Sequence, residues 1–427
     1  MTPRHCRGVT FVLRDHDDVA RSASEQVRHG APLAPNARPL HIGDPMRNWL
    51  GEIDSLLGEV DKNVRGVARA VRSAFDDGPF EVLTYRGFGD AHHAHVYGRA
   101  QENRGVGKSA ETDSVVENLV NTYRRADSHP LPFAELAVVY GGATQAIKAD
   151  DEGFFSSRVD LAAPVDTSRE WAEYAVDLLS PVRPGVDRPR CKGEVLIPPA
   201  SAQFGVISDI DDTVIQSRVS NFLLAARTVI LGNARTRLPF PGVAAFYEAL
   251  RNGRGGNEKN PIFYVSSSPW NIYDVITEFM DLQSIPRGPV LLRDWDISFG
   301  ALSSNRHFEH KGTAIRNIMQ FYPHLSFILI GDSGQHDPET YRHIVQEFPN
   351  RVRAIYIRDV TSNPERSAAI EKLAEEVAPS ACELVLAEDT YAAAKHAAEQ
   401  GWISEGALPM VKEEKRADEG TTDAKAP

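Results

Sequence analysis

Residues 204–213 read FGVISDIDDT, an apolar run that ends in three carboxylates and a threonine. Side chains alternate along a strand with period two, so a strand closing on Asp209-Ile210-Asp211 sets two carboxylates on one side. Carboxylates crowded at a strand end repel each other and resist burial unless a cation or a reaction holds them there. Asp212 points the other way and reads as a loop residue. An Asp-rich turn after an edge strand is the plain alternative, and the rest of the chain argues against it.

Three further segments repeat the pattern in order. Residues 261–271, PIFYVSSSPWN, read as a buried strand closing in Ser266, with a turn at Ser267–Ser268 and a helix from Pro269 onward. Residues 307–320, HFEHKGTAIRNIMQ, read as an amphipathic helix that Lys311 begins and whose inner face carries Ile315, Ile318 and Met319. A lysine at a helix start opposes the macrodipole, which calls for an anionic partner. Residues 326–339, SFILIGDSGQHDPE, read as a strand delivering Asp332 and then Asp337 in a glycine-containing loop. With PVLLR, VRAIYI and ELVL, these runs alternate with helical stretches. Continuous apolar strands joined through helices predict an α/β fold, a parallel sheet covered on both faces with right-handed crossovers. Ligands bind beyond the C-terminal ends of such strands, where Asp209, Ser266 and Asp332 all stand.

The Asp-x-Asp-x-Thr at 209–213 resembles the nucleophile loop of the haloacid dehalogenase (HAD) superfamily, which implies a HAD-like Rossmannoid sheet and phosphoryl transfer. In that chemistry Asp209 attacks phosphorus and forms an aspartyl-phosphate, while Asp211 protonates the leaving alkoxide and later activates water. A hard cation such as Mg²⁺ holds the anionic nucleophile beside the phosphate. The runs DIDDTVIQS, FYVSSSPWN, LLRDWD, HKGTAI, LIGDSGQHDPE and IYIRDV are similar to the catalytic domain of phosphatidate phosphatases of the fungal actin-patch type, distant cousins of the lipins. The similarity covers roughly residues 200–360. It implies phosphate binding by Ser266, Ser267 and Lys311, and a Mg²⁺ site of Asp209, Asp211 and Asp332. It also implies support from Thr213, which fixes the loop, and from Asp337, which orients Lys311 or a metal-bound water. The expected reaction is phosphatidate to diacylglycerol. A soluble or protein phosphoester substrate is the alternative, and a phosphatidate-binding module without turnover is a third reading. Such a module should lack the first aspartate, and this chain keeps Asp209 and Asp211.

Composition bounds the rest. A chain of 427 residues, 42% hydrophobic, is long enough for two or three domains. Cys6, Cys191 and Cys382 lie far apart without metal-type spacing, which fits a reducing cytoplasm rather than a disulfide framework. A formal charge of −12 disfavours nucleic acid as partner and broad attachment to anionic lipid, while a local patch could still make peripheral membrane contact. No apolar stretch approaches a bilayer span, and the charged N-terminus does not read as a secretory signal. A cytoplasmic protein is the expectation.

Residues 1–44 read as irregular. Residues 45–76 form the clearest helix outside the catalytic region, with Trp49, Ile53, Leu57, Val60, Val64, Val67 and Val71 among its apolar stripe. Packing on its own protein is the favoured reading of that helix over a membrane surface. From 79 to 198, short β-rich runs (FEVLTYRGFG, HAHVYGRA, LAVVYGG, FFSSRVDL, YAVDLLS) predict a small β-sandwich-like domain, or one resembling a barrel. His92, His93 and His95 read as a polar strand edge. The prolines of PVRPGVDRPR and IPPAS read as a linker into a catalytic domain over 200–405. Between Thr213 and Ser266, an apolar flap with helices leaves little room for a separate cap domain, so an open site is expected. The tail, 406–427, reads as charged and disordered.

Overall fold

Strand-forming residues separated by short turns run from Phe80 to Leu196 and pair into one sheet. A computed structural model describes residues 79–102, 130–183, 185–211, 213–214, 240–293, 304–361 and 363–423. The expected irregular segment at 1–44, the helix at 45–76 and the flap over 215–239 lie outside the described residues, as does Asp212. The strands are β1 (Phe80–Gly89), β2 (His93–Glu102), β3 (Glu135–Tyr140), β4 (Ala143–Lys148), β5 (Phe154–Asp160), β6 (Trp171–Ser180) and β7 (Arg190–Leu196). Their order is β4-β3-β6-β7-β1-β2-β5, antiparallel except where β1 meets β7.

The two edges nearly meet. The Gln145 amide on β4 donates to the Ser157 hydroxyl and the Arg158 carbonyl of β5, each at 3.0 Å. The sheet therefore curls around Val96, Leu136, Val138, Val176, Leu178 and Val195 as a near-barrel. This corrects the β-sandwich expectation. Both architectures bury one alternating face of each strand, so the sequence pattern cannot separate them. The linker reading is corrected as well: PVRPGVDRPR is the hairpin connection between β6 and β7. The histidines sit on and before β2, which is second from the edge, so they are not an edge strand.

Six continuous apolar runs then build a second sheet from β8 (Gly205–Asp209), β9 (Ile262–Pro269), β10 (Val290–Arg293), β11 (Phe327–Asp332), β12 (Val352–Arg358) and β13 (Glu383–Ala387). Every pairing is parallel and the order is β10-β9-β8-β11-β12-β13. Strands 1 and 4 of this doubly wound arrangement, β8 and β11, lie side by side, and the gap beyond their ends is the topological switch point. The expected α/β sheet covered on both faces is what forms. Helices α1 (Val243–Asn252), α2 (Tyr273–Leu282), α6 (Thr390–Glu399) and α7 (Leu408–Asp423) share a core with Val206, Tyr264, Ile328 and Tyr356. Helices α3 (Ser304–Phe321), α4 (Asp337–Glu347) and α5 (Pro364–Val377) share another with Ile207, Phe263, Leu329 and Ile355. Alternate residues of each strand feed opposite cores, which is why these runs are apolar throughout.

The near-barrel joins this sheet through β1. A register shift between Tyr85 and Phe88 lets both rings reach the second sheet, although three-residue spacing would send them to opposite faces of a regular strand. Tyr85 stacks on Trp270 at 4.5 Å, and Phe88 meets Phe263 edge-on at 5.8 Å. Gly87 sits in the bulge because a Cβ there would stand 2.2 Å from the His95 carbonyl oxygen.

The tail is also corrected. Residues 408–423 form α7, with Val411 fully buried in the core of α1 and α6. Its acidic residues serve the start of α1, where the Gly242 N–H donates to Asp418 at 2.9 Å and the Ala245 N–H to Glu414 at 3.2 Å. They satisfy helix-end donors that have no intrahelical partner. Among the described residues no helix is long and apolar enough to cross a membrane.

Two outcomes follow for stability. Val411→Asp buries an unpaired carboxyl and should cost about 3 kcal/mol, read as a lower urea midpoint, whereas a disordered tail would leave the midpoint unmoved. His95 shares a hydrogen bond with the Ser156 hydroxyl at 2.9 Å, and burial with the nearby Arg158 charge pushes its pKa down to about 4. Above pH ~6.5 the ring is neutral folded or unfolded; between there and about 4 only the unfolded chain takes up the proton. The folded state should lose about 3 kcal/mol across that window, and His95→Phe should abolish that share of the acid limb in urea titrations at each pH.

Candidate active site

Each wall of the site is the end of an element already in place. β8 terminates in Asp209 and β11 in Asp332, both completely enclosed. α4 opens on Asp337 with Pro338 beside it, a favourable helix start. α3 carries Lys311 inward. The expectation that Lys311 begins its helix is corrected, since α3 starts at Ser304 and Lys311 lies in its third turn. Positions 311, 315, 318 and 319 form one inward stripe at helical spacing, and a charge in the first slot makes the apolar pattern appear to start later. The serine turn is corrected too, because β9 stays extended through Pro269 and the chain turns only at Trp270.

The Lys311 ammonium is the hub. It lies 2.8 Å from Asp209 Oδ1, 2.7 Å from Asp337 Oδ1 and 3.2 Å from Gln335 Oε1. Asp337 Oδ2 accepts the Asp332 N–H at 3.2 Å, which ties the helix start to the strand end. Asp332 Oδ1 accepts the N–H groups of Gly334 and Gln335 at 2.7 and 2.9 Å. Its other oxygen, Oδ2, is buried without a hydrogen-bond partner among the described residues. One oxygen each from Asp209, Asp332 and Asp337 lie within 4.8 Å of one another.

Asp211 stands apart from that trio, with Oδ2 accepting the Ser266 hydroxyl at 2.6 Å. The expected metal set of Asp209, Asp211 and Asp332 is thus not the set that clusters; Asp337 takes the third place. Ser266 Oγ also accepts the Ser268 N–H at 2.9 Å, and Ser267 lies half-buried between them. The Thr213 hydroxyl reaches Asp209 Oδ2 at 3.5 Å, beyond a strong bond, while the Val214 N–H closes the turn on the Ile210 carbonyl at 2.9 Å.

Three carboxyl groups face one ammonium in a buried space, and burial there resists ionisation. Burial pushes the Asp209 carboxyl well above its usual range, with Lys311 opposing, and burial together with Asp337 raises Asp332 to about 7. Burial alone would depress Lys311, but Asp209 and Asp337 outweigh it and hold the ammonium protonated. The buried oxygens of Asp209, Asp332 and Asp337 are of the hard type that could hold a cation such as Mg²⁺, with Asp332 Oδ2 left available by its other bonds.

Sequence reasoning passed over Gln335, whose side chain bonds both Lys311 and, through Nε2 at 3.2 Å, the Asp211 carbonyl. Nothing in an uncharged amide inside a loop signals that double contact. It also passed over Arg366 of α5, which holds the same loop through the Ser333 and Gln335 carbonyls at 2.8 and 2.7 Å. The Tyr247–Ser208 hydroxyl pair beneath Asp209, at 2.6 Å, was equally hidden.

Residues 204–359 match the family model described as "Phosphatidate phosphatase APP1, catalytic domain". The chain is 32% identical over 156 residues to the phosphatidate phosphatase APP1 of Saccharomyces cerevisiae, covering 36% of this chain and 26% of that protein. It is 29% identical over 168 residues to an uncharacterized protein of Schizosaccharomyces pombe, covering 38% and 26%. The chain thus spans about a quarter of the length of these curated relatives. Among solved structures, a carbohydrate acetylesterase from Xanthomonas citri aligns over 70% of this chain and 66% of its own at 12% identity and a TM-score of 0.24, too slight a likeness to carry an argument. Residues 204–359 carry the sequence pattern of an APP1-type phosphatidate phosphatase catalytic domain.

Gly331 gives a direct test of the hub. A Cβ on it would stand 2.5 Å from Asp337 Oδ2 and 2.7 Å from Asp337 Cβ. Gly331→Ala should push Asp337 off Lys311 and lower stability by about 2 kcal/mol in thermal or urea unfolding. Gly420→Ala, on the exposed face of α7 with nothing within 4 Å, should be neutral or slightly stabilising.

Proposed function

We propose that residues 204–359 hydrolyse a phosphomonoester, phosphatidate to diacylglycerol, by the chemistry of the HAD superfamily. The observation that carries this reading is the buried Lys311 ammonium between Asp209 and Asp337, at the switch point of a segment that matches the APP1 catalytic domain. The name of the yeast relative favours phosphatidate as substrate.

Asp209 attacks phosphorus as the bond to the alkoxide oxygen breaks, and Asp211 gives that oxygen a proton. Asp211 then takes a proton from water, whose oxygen attacks the aspartyl-phosphate and releases phosphate and the Asp209 carboxylate. Lys311 offsets charge on the transferring group while Asp337 and Gln335 keep its three donors aimed. Ser266 orients Asp211 through the 2.6 Å bond, and its one hydroxyl proton reaches a phosphoryl oxygen only by giving that bond up. Asp209 and Asp332 would hold Mg²⁺ with Asp337 in reach, and the ion supplies the positive charge that lets two anions meet.

The test is Mg²⁺-dependent phosphate release from phosphatidate in mixed micelles, run beside a panel of soluble phosphate esters. Wild-type protein should release phosphate from phosphatidate, and Asp209→Asn should lower the rate about a thousandfold or more. Turnover of soluble esters alone would keep the chemistry and remove the lipid assignment. Phosphatidate vesicles bound without any release would leave a binding module in place of an enzyme.

A further inference from the structure

A cavity of about 240 Å³ lies between the near-barrel and the parallel sheet. Its floor is aromatic: Tyr85, Tyr97, Phe155 and Trp270. Tyr85 stacks on Trp270 at 4.5 Å, and Tyr97 lies 6.0 Å from Trp270 and stacks on His95 at 4.6 Å. Ser156, Thr313 and Asn317 form an exposed polar rim.

The cavity adjoins the carboxylate site through shared elements. Trp270 follows β9 four residues after Ser266, and Ala314 of the lining is one helical turn from Lys311 on α3. Leu291 and Leu292 come from β10, which pairs with β9. Among the described residues no Lys or Arg lines the cavity itself, Asp150 is its one carboxylate, and His95 is uncharged near neutral pH. Arg99, over the Phe154 ring at 4.6 Å, and Arg158, beside His95, lie outside that lining. The volume is below the ~300–1,000 Å³ of pockets that enclose whole drug-sized ligands, so it suits part of a larger molecule.

We infer that this cavity is the subsite for one acyl chain segment of the phosphoester substrate, which makes the near-barrel a specificity element of the site. The inference rests on the phosphatase reading for its kinetics, and the binding experiment stands apart from it. Phosphate and acyl group are then received by opposite chemistries, charged at the strand switch point and aromatic in the cavity.

The experiment uses the full chain with dioctanoylglycerol, which carries the acyl groups and no phosphate. Calorimetry should show saturable binding to wild type, weakened at least about tenfold in Asn317→Trp and in Ser156→Trp, two rim substitutions at exposed positions. In kinetics the same variants should raise KM for dioctanoyl-phosphatidate about tenfold and leave p-nitrophenyl phosphate turnover unchanged. Binding and KM equal to wild type in both variants would overturn the subsite. Parallel loss on p-nitrophenyl phosphate would also overturn it, since the plugs would then act on the carboxylate site. If wild type hydrolyses neither ester yet both plugs abolish dioctanoylglycerol binding, the subsite stands and the phosphatase reading falls.

Discussion

One ammonium group organises this site. Lys311 reaches from α3 across the end of the sheet to a strand-end carboxylate and a helix-start carboxylate, and both contacts are buried. Buried ion pairs return little net stability, because desolvation consumes most of the Coulombic gain. A cluster with more carboxylates than cations is worse still. Such a cluster at the switch point is costly to the fold, and the proposed phosphoryl chemistry is what would account for it. The surrounding loop is built to keep that arrangement: Arg366 pins two carbonyls, Gln335 bridges Lys311 and Asp211, and Gly331 leaves room for Asp337.

The two sheets are tied by aromatic contacts beside the ion pairs Arg86–Asp281, Arg251–Glu170 and Arg287–Glu194. The bulge in β1 presents Tyr85 and Phe88 to opposite cores of the parallel sheet, and the Tyr322 hydroxyl donates to the Gly89 carbonyl at 3.0 Å. The Arg86 N–H in the same bulge donates to the Tyr273 hydroxyl at 2.8 Å. These contacts fall on α2, α3 and the Trp270 turn, the elements that border Ser266 and Lys311. Packing at that place supports the walls of the site as well as the pairing of the two sheets.

The parallel sheet was legible in the sequence because burial on both faces leaves continuous apolar runs, and β8 and β11 end in the aspartates that mark their C-terminal ends. The strand-end places of Asp209 and Asp332 were legible for the same reason. Strand number and closure in the β-rich region were not, because ATQAIK alternates weakly and RCKGEVL follows a proline-rich hairpin that resembles a linker. Closure depends on a side-chain contact between β4 and β5, and no local pattern encodes that.

The remaining misreadings share one physical cause. Lys311 occupies an inward slot of a helical stripe, and Glu414 and Asp418 cap another helix from within a run that looks solvated. In each case a charged residue was taken as a marker of the surface or of a helix end. A charge signals exposure only when water is its best partner. Lys311 has two carboxylates and the acidic residues of α7 have orphan N–H groups, partners contributed by segments far away in the chain. The information that makes those positions structural therefore lies in the partner rather than in the run itself, and it becomes readable only once the fold has placed the two together.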